Sequence, residues 1–232
     1  MANNKPATKA EENKGDIQNV NEALSSTEQF IENNRKVLLI ALLAVIVVVA
    51  LVLLYKNSYL APKQKEAAEL MFKGESYFGL DSLEIALNGD GDEYPGFEAI
   101  ADDYKMTKSG KLAKAYAGLC YKGLGDYENA IKCLTKVKTK DMMVSPSFIG
   151  AVGDCYVELG QNEKAVPYFM KAAGIHNDLL APIYLMKAAR VYEAMGNNAK
   201  ALSVYETLKS EYPLSQEGTE VDKYIERVKK SL

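Results

Sequence analysis

A chain of 232 residues with 28 lysines and arginines against 31 acids is nearly neutral, at −3, and residues 1–36 share the balance with five basic and six acidic side chains. With no basic stripe to neutralise phosphates, the sequence argues against nucleic acid as a partner. One histidine, His176, and three cysteines, Cys120, Cys133 and Cys155, an odd number at no metal-ligand spacing, argue against a zinc site and a disulfide framework. The cysteines read as small core residues, since cysteine is among the side chains most often buried.

Residues 1–16 contain no strong apolar side chain and are expected to form a disordered tail. From there Ile17, Val20, Leu24 and Ile31, with Phe30 beside them, predict an amphipathic juxtamembrane helix over residues 17–36, either a plain extension of the apolar run after it or a docking element. Residues 37–55, VLLIALLAVIVVVALVLLY, run nineteen positions without a charge. At about 1.5 Å per helical residue that is about 28 Å, the hydrocarbon thickness of a bilayer. A lone segment in lipid can satisfy its backbone only as a helix, and the lack of a polar stripe separates it from a soluble core helix. Thirty-six residues precede it, and Tyr59 stands two before Ala61, the one alanine placed for a cut, so it reads as a retained single transmembrane helix rather than a cleaved signal. Arg35 and Lys36 before the span face Lys56, Lys63, Lys65 and Lys73 after it, so charge does not orient it.

Residues 62–110 predict a linker helix and a degenerate first repeat. After Pro62, Ala67, Leu70, Met71, Tyr77 and Phe78 keep helical spacing; residues 88–95, NGDGDEYP, are a loop; and Phe97, Ile100, Ala101 and Tyr104 mark a short helix. Asn88, Asp90 and Asp92 imitate the first ligands of a calcium loop, but Glu93 stands where its glycine and Ala99 where its bidentate glutamate belong, so the reading is a solvated turn.

Residues 111–213 repeat. Gly118, Cys120 and Tyr121 with Gly125, Gly153, Cys155 and Tyr156 with Gly160, and Ala189, Val191 and Tyr192 with Gly196 align, the last glycines recurring at intervals of 35 and 36. Ala130, Ala165 and Ala201 come next, then Leu134, Phe169 and Tyr205, and Pro213 closes the third copy. Small residues let two helices approach, tyrosines fill between hairpins, and the later glycines supply the positive φ that ends a helix. Pro146 and Pro182 stand where first helices start, while Pro167 is expected to kink or weaken its helix. This period of two-helix units resembles the tetratricopeptide repeat family. The family's tryptophan is replaced by Lys114, Ile149 and Leu185. Residues 214–232, with Val221, Tyr224, Ile225 and Val228, predict a capping helix. The fold expected is all-α: a single transmembrane helix, then a tetratricopeptide-repeat α-solenoid with a C-terminal cap.

The sequence shows no glycine-rich phosphate loop or nucleophile motif, and no catalytic, cofactor-binding or metal-binding residue is assigned. His176 falls at an expected turn. In the resembled family the first helices line a groove for protein segments, which implies a partner-binding set of Leu112, Leu119, Lys122, Asp154, Val157, Glu158, Met186, Arg190 and Glu193. Ala115 and Leu119 do not fit the lysine and asparagine clamp by which some relatives hold a terminal carboxylate. The layout of short tail, Phe30 to Lys36 approach, one span and degenerate repeats is also similar to the YfgM-like ancillary subunits of the bacterial Sec translocon. That resemblance implies an inner-membrane, single-pass adaptor with a cytoplasmic N-terminus and periplasmic repeats. Its partners would be the Sec translocon, a membrane-anchored periplasmic chaperone and exported polypeptides. The alternative is a membrane-tethered cytoplasmic repeat scaffold for envelope assembly or proteolysis, in which three unpaired cysteines would sit comfortably.

Overall fold

The computed structural model describes the backbone of residues 9–232 and the side chains from Phe30 onward. All regular elements among the described residues are helical, and the chain divides into two compact units, residues 1–59 and 60–232.

The first unit is built on α1, Lys9–Leu54, followed by a π-helical turn over Tyr55–Leu60 that begins in it. Eighteen residues of the apolar run reach a mean hydropathy of 3.7 with no residue of that window buried. The helix is thus long and apolar enough to cross a membrane. Tyr55 and Tyr59 stack at 5.3 Å in the π turn. Of the expected disordered tail, residues 1–8 lie outside the described residues, and residues 9–16 are corrected to helix. Their Lys, Ala and Glu are good helix formers and carry on into the following turns, so a lack of apolar side chains there does not mean a lack of helix. The side chains of Ile17, Val20 and Leu24 lie outside the described ones; Phe30 and Ile31 are exposed.

The second unit opens with α2, Ala61–Gly79, with a proline in its first turn, then α3, Leu83–Asn88, and α4, Phe97–Asp103. α3 was not anticipated; it begins after a turn in which Asp81 takes φ 58°. In the loop after α3, Asp90 accepts from the N–H groups of Asp92 and Tyr94 at 3.0 Å and from the Tyr77 hydroxyl at 3.1 Å, and those backbone bonds hold its carboxyl below the usual range. The loop carboxylate is therefore used to shape the turn. Tyr94, Phe97 and Ile100 fill the core beneath α2, where Gly74 lies against Tyr94 and Phe97 with no room for a methyl group.

Three helical pairs come next: α5, Lys108–Gly123, with α6, Tyr127–Leu134; α7, Val144–Glu158, with α8, Asn162–Ala173; and α9, Ala181–Ala194, with α10, Asn198–Glu211. Polar caps set several starts: Thr107, Asp126 and Asn197 accept from the N–H of Gly110, Asn129 and Lys200. The expected helix-ending glycines all take positive φ, 84° at Gly125, 68° at Gly160 and 71° at Gly196. Close approach explains the small positions. A methyl group on Gly118 would stand 2.7 Å from Leu134 Cγ, and one on Gly153 would stand 2.6 Å from Phe169 Cε1. Pro167 does not break α8, which runs through it; the expected kink becomes one lost backbone hydrogen bond on an exposed flank. Finally α11, Gln216–Glu220, and α12, Asp222–Lys229, bury Val221, Ile225 and Val228.

Candidate interaction surface

The first helices of successive pairs, α5, α7 and α9, carry the nine residues expected to meet a partner, and four of the five charged ones among them are engaged within the chain. Lys122 of α5 donates to Asp154 Oδ2 at 3.0 Å, and Lys187 of α9 donates to Asp154 Oδ1 at 2.7 Å. One half-buried carboxylate on α7 thus ties three consecutive units together. Further along, Arg227 grips Glu193 through two bonds of 2.7 and 2.8 Å, and Tyr205 donates to the same carboxylate at 3.1 Å. Those bonds from Arg227 hold the Glu193 carboxyl below its usual range despite partial burial. Arg190 donates to the Tyr224 hydroxyl at 2.6 Å, and the Tyr224 ring has Arg190, Lys223 and Arg227 within 5.1 Å and stacks on Tyr205 at 5.6 Å. Because Tyr224 and Arg227 lie 34 residues beyond Arg190 and Glu193, α12 occupies the place of a fourth first helix.

The apolar members scatter. Leu112 is 41% exposed, Leu119 and Val157 are half-buried, and Glu158 is exposed. Met186 is only 7% exposed, so its expected role as a contact is corrected: it belongs to the core and reaches the surface as the floor of a cleft of about 210 Å³. That cleft joins Ile183, Met186 and Arg190 of α9 to Glu217 and Glu220 of α11 and to Tyr224. Two of the expected residues, Met186 and Arg190, come together here around open space. Sequence reading missed Lys187, Tyr224 and Arg227, although the 34-residue offset, continued once past Pro213, points at the last two.

Chemical reactivity is low. Burial pushes the Cys120 thiol up to about 12 and the Cys155 thiol up to about 11, and it raises Cys133 as well, so all three stay protonated at neutral pH. Among the described residues no group of three histidines, cysteines or acids is placed to hold a metal. His176 is exposed, with φ 53° just past α8.

Models of the tetratricopeptide repeat match residues 117–139, 148–178 and 184–215. The three intervals fall on the three helical pairs, so these pairs are similar to tetratricopeptide repeats. Among solved structures, a kinesin light chain with nearly identical TPR-like repeats from Podosopora anserina is similar at 15% identity and a TM-score of 0.48, over 76% of this chain and 87% of that one. No curated protein sequence matches the chain.

Proposed function

We propose that the chain is a non-enzymatic, membrane-anchored adaptor that holds a protein segment on the first-helix face of its repeats. The observation that carries this is the joining, in one polypeptide, of an apolar helix with no buried residue in its central window to three interaction repeats. Tyr55 and Tyr59, half exposed at the end of the apolar run, sit where aromatic side chains favour a bilayer interface, with Arg35 and Lys36 at the other end. On the repeats, Leu112, Leu119, Val157, Glu158 and the cleft at Arg190 are the contacts, while Lys122, Asp154 and Glu193 hold the face in shape.

The finer reading is an ancillary subunit of the Sec translocon in a bacterial inner membrane, with a cytoplasmic N-terminus and periplasmic repeats that receive exported chains or their membrane-anchored chaperone. It rests on the likeness of layout to the YfgM-like proteins. The cytoplasmic scaffold drew its support from three unpaired cysteines. That support weakens, because Cys120 and Cys155 are buried, Cys133 is half-buried and none is a thiolate, so they tolerate an oxidising compartment.

Two experiments test this. Protease added to spheroplasts should remove a C-terminal tag while a cytoplasmic control survives; protection of the tag until lysis promotes the scaffold reading. Photo-crosslinkers at 112, 158 and 190 of the membrane-embedded chain should trap translocon subunits or exported chains. Adducts from 37–55 alone would move the contact to the anchor.

A further inference from the structure

The three second helices differ in length: α6 has 8 residues, α8 has 12 and α10 has 14. Ala130, Ala165 and Ala201 are fully buried and share one register. Seven residues on, α8 buries Ala172 and α10 buries Leu208, but the first copy has Val137, which lies past the end of α6 on an irregular segment. The cause is local. Residues 135–140, TKVKTK, alternate β-branched side chains with lysine, a poor pattern for extending a helix.

The missing turn leaves a cleft of about 360 Å³ between α6, α7 and α8, floored by Leu134, Phe148, Ile149, Val152 and Tyr168. Lys138 and Lys171 line it, Lys136 and Lys140 are exposed on the same segment, and no carboxylate lines it. The nearest acid in sequence, Asp141, is engaged by the N–H groups of Met143 and Val144 at 2.8 Å, which hold its carboxyl below the usual range. The N–H groups of Lys138, Thr139 and Lys140 make no hydrogen bond among the described residues. On a chain whose net charge is −3, this is a concentrated basic rim around an apolar floor with backbone donors to spare.

We propose that this cleft docks a short acidic segment of a partner protein that carries apolar side chains. The apolar side chains take the place of the missing helical turn over Leu134 and Phe148, the carboxylates meet Lys138 and Lys171, and the segment's carbonyls accept from residues 138–140. A bilayer of anionic lipid offers charge but no side chain shaped to the floor, so a peptide is the better fit. None of the nine residues expected to meet a partner lines the cleft, so its occupancy does not depend on the adaptor role proposed for the first-helix face.

The test uses the full chain in nonionic detergent and a short fluorescein-labelled peptide of glutamates flanking one phenylalanine and one leucine, read by anisotropy. The peptide should bind. Lys138→Glu with Lys171→Glu should weaken it by about tenfold or more without moving the melting temperature, since both side chains are exposed. Ser145→Phe, which fills the cleft and leaves the lysines untouched, should weaken it as well. An all-glutamate peptide should bind about tenfold less tightly. Unchanged affinity in either variant, or equal binding of the all-glutamate peptide, overturns the proposal. So does full protection of Lys138 and Lys171 from acetylation in nanodiscs containing phosphatidylglycerol with no peptide present, which makes the membrane the occupant.

Discussion

In the third copy, α10 runs from Asn198 to Glu211 and lays Ala201, Tyr205 and Leu208 into the core; in the first, α6 stops at Leu134 and leaves Val137 half-buried beside an open cleft. Both copies keep the small residue, the tyrosine and the turn glycine that build a hairpin. They differ in what happens one turn later, and that turn decides whether a unit closes its own core or leaves part of it for something else. A repeat motif therefore specifies how two helices cross more tightly than it specifies where the second one ends.

Truncation of core side chains tests this contrast with the largest effect. Phe169→Ala removes a side chain that is 1% exposed and stacked on Tyr184 at 6.4 Å, and it is expected to cost about 3–5 kcal/mol. Leu134→Ala, at the equivalent position beside the cleft, is expected to cost only about 2–3 kcal/mol because its surroundings can relax into open space. At about 2–4 °C per kcal/mol for a unit of this size, thermal unfolding resolves the two. Equal losses would mean that the cleft is not a gap in the packing. Next in size, Pro167→Ala restores a backbone donor within α8 and should stabilise by about 1–2 kcal/mol, which would bring the middle copy closer to the third.

The clamp that closes the C-terminal end makes a smaller, pH-dependent difference. Glu193→Gln should cost about 1 kcal/mol at neutral pH through loss of the charge-assisted bonds to Arg227. The folded carboxyl is held below its unfolded value, so this stabilisation is fully present above the unfolded value of about 4.3 and is lost as pH falls through the folded one. Melting curves of the two proteins should converge in acid; a gap that persists there would show that shape, not charge, is responsible. The smallest stability change is expected from Thr135→Ala with Thr139→Ala, at about 1 kcal/mol or less of added helix propensity. Its sharper signature is a longer α6, seen as slower amide exchange at residues 135–139 together with weaker binding of the acidic peptide.

How much of this was legible beforehand varies by residue. Gly125, Gly160 and Gly196 announced their positive φ, and Gly118 and Gly153 their contacts, because each follows from a rule spanning a few residues. The nine residues expected to meet a partner lie on the first helices of the pairs, yet Asp154 and Glu193 bond to neighbours 33 and 34 residues away in the chain. Met186 went into the core, since which face of α9 is covered depends on α11 and α12 packing beside it. The lysines between 136 and 140 were visible in a chain of balanced charge, but only as a sum that cancelled.

By itself the sequence determined the apolar helix, because nineteen uncharged residues in a row carry the length and hydropathy of a helix able to cross a membrane. It also determined the helical pairs and their turns, because period, small residues and glycines act locally. Tertiary structure decided which charges are spent within the chain and which remain for a partner. Only when α5, α7, α9 and α12 stand side by side do Lys122, Asp154, Lys187, Glu193 and Arg227 find one another, and only where α6 ends early do Lys138 and Lys171 face open space.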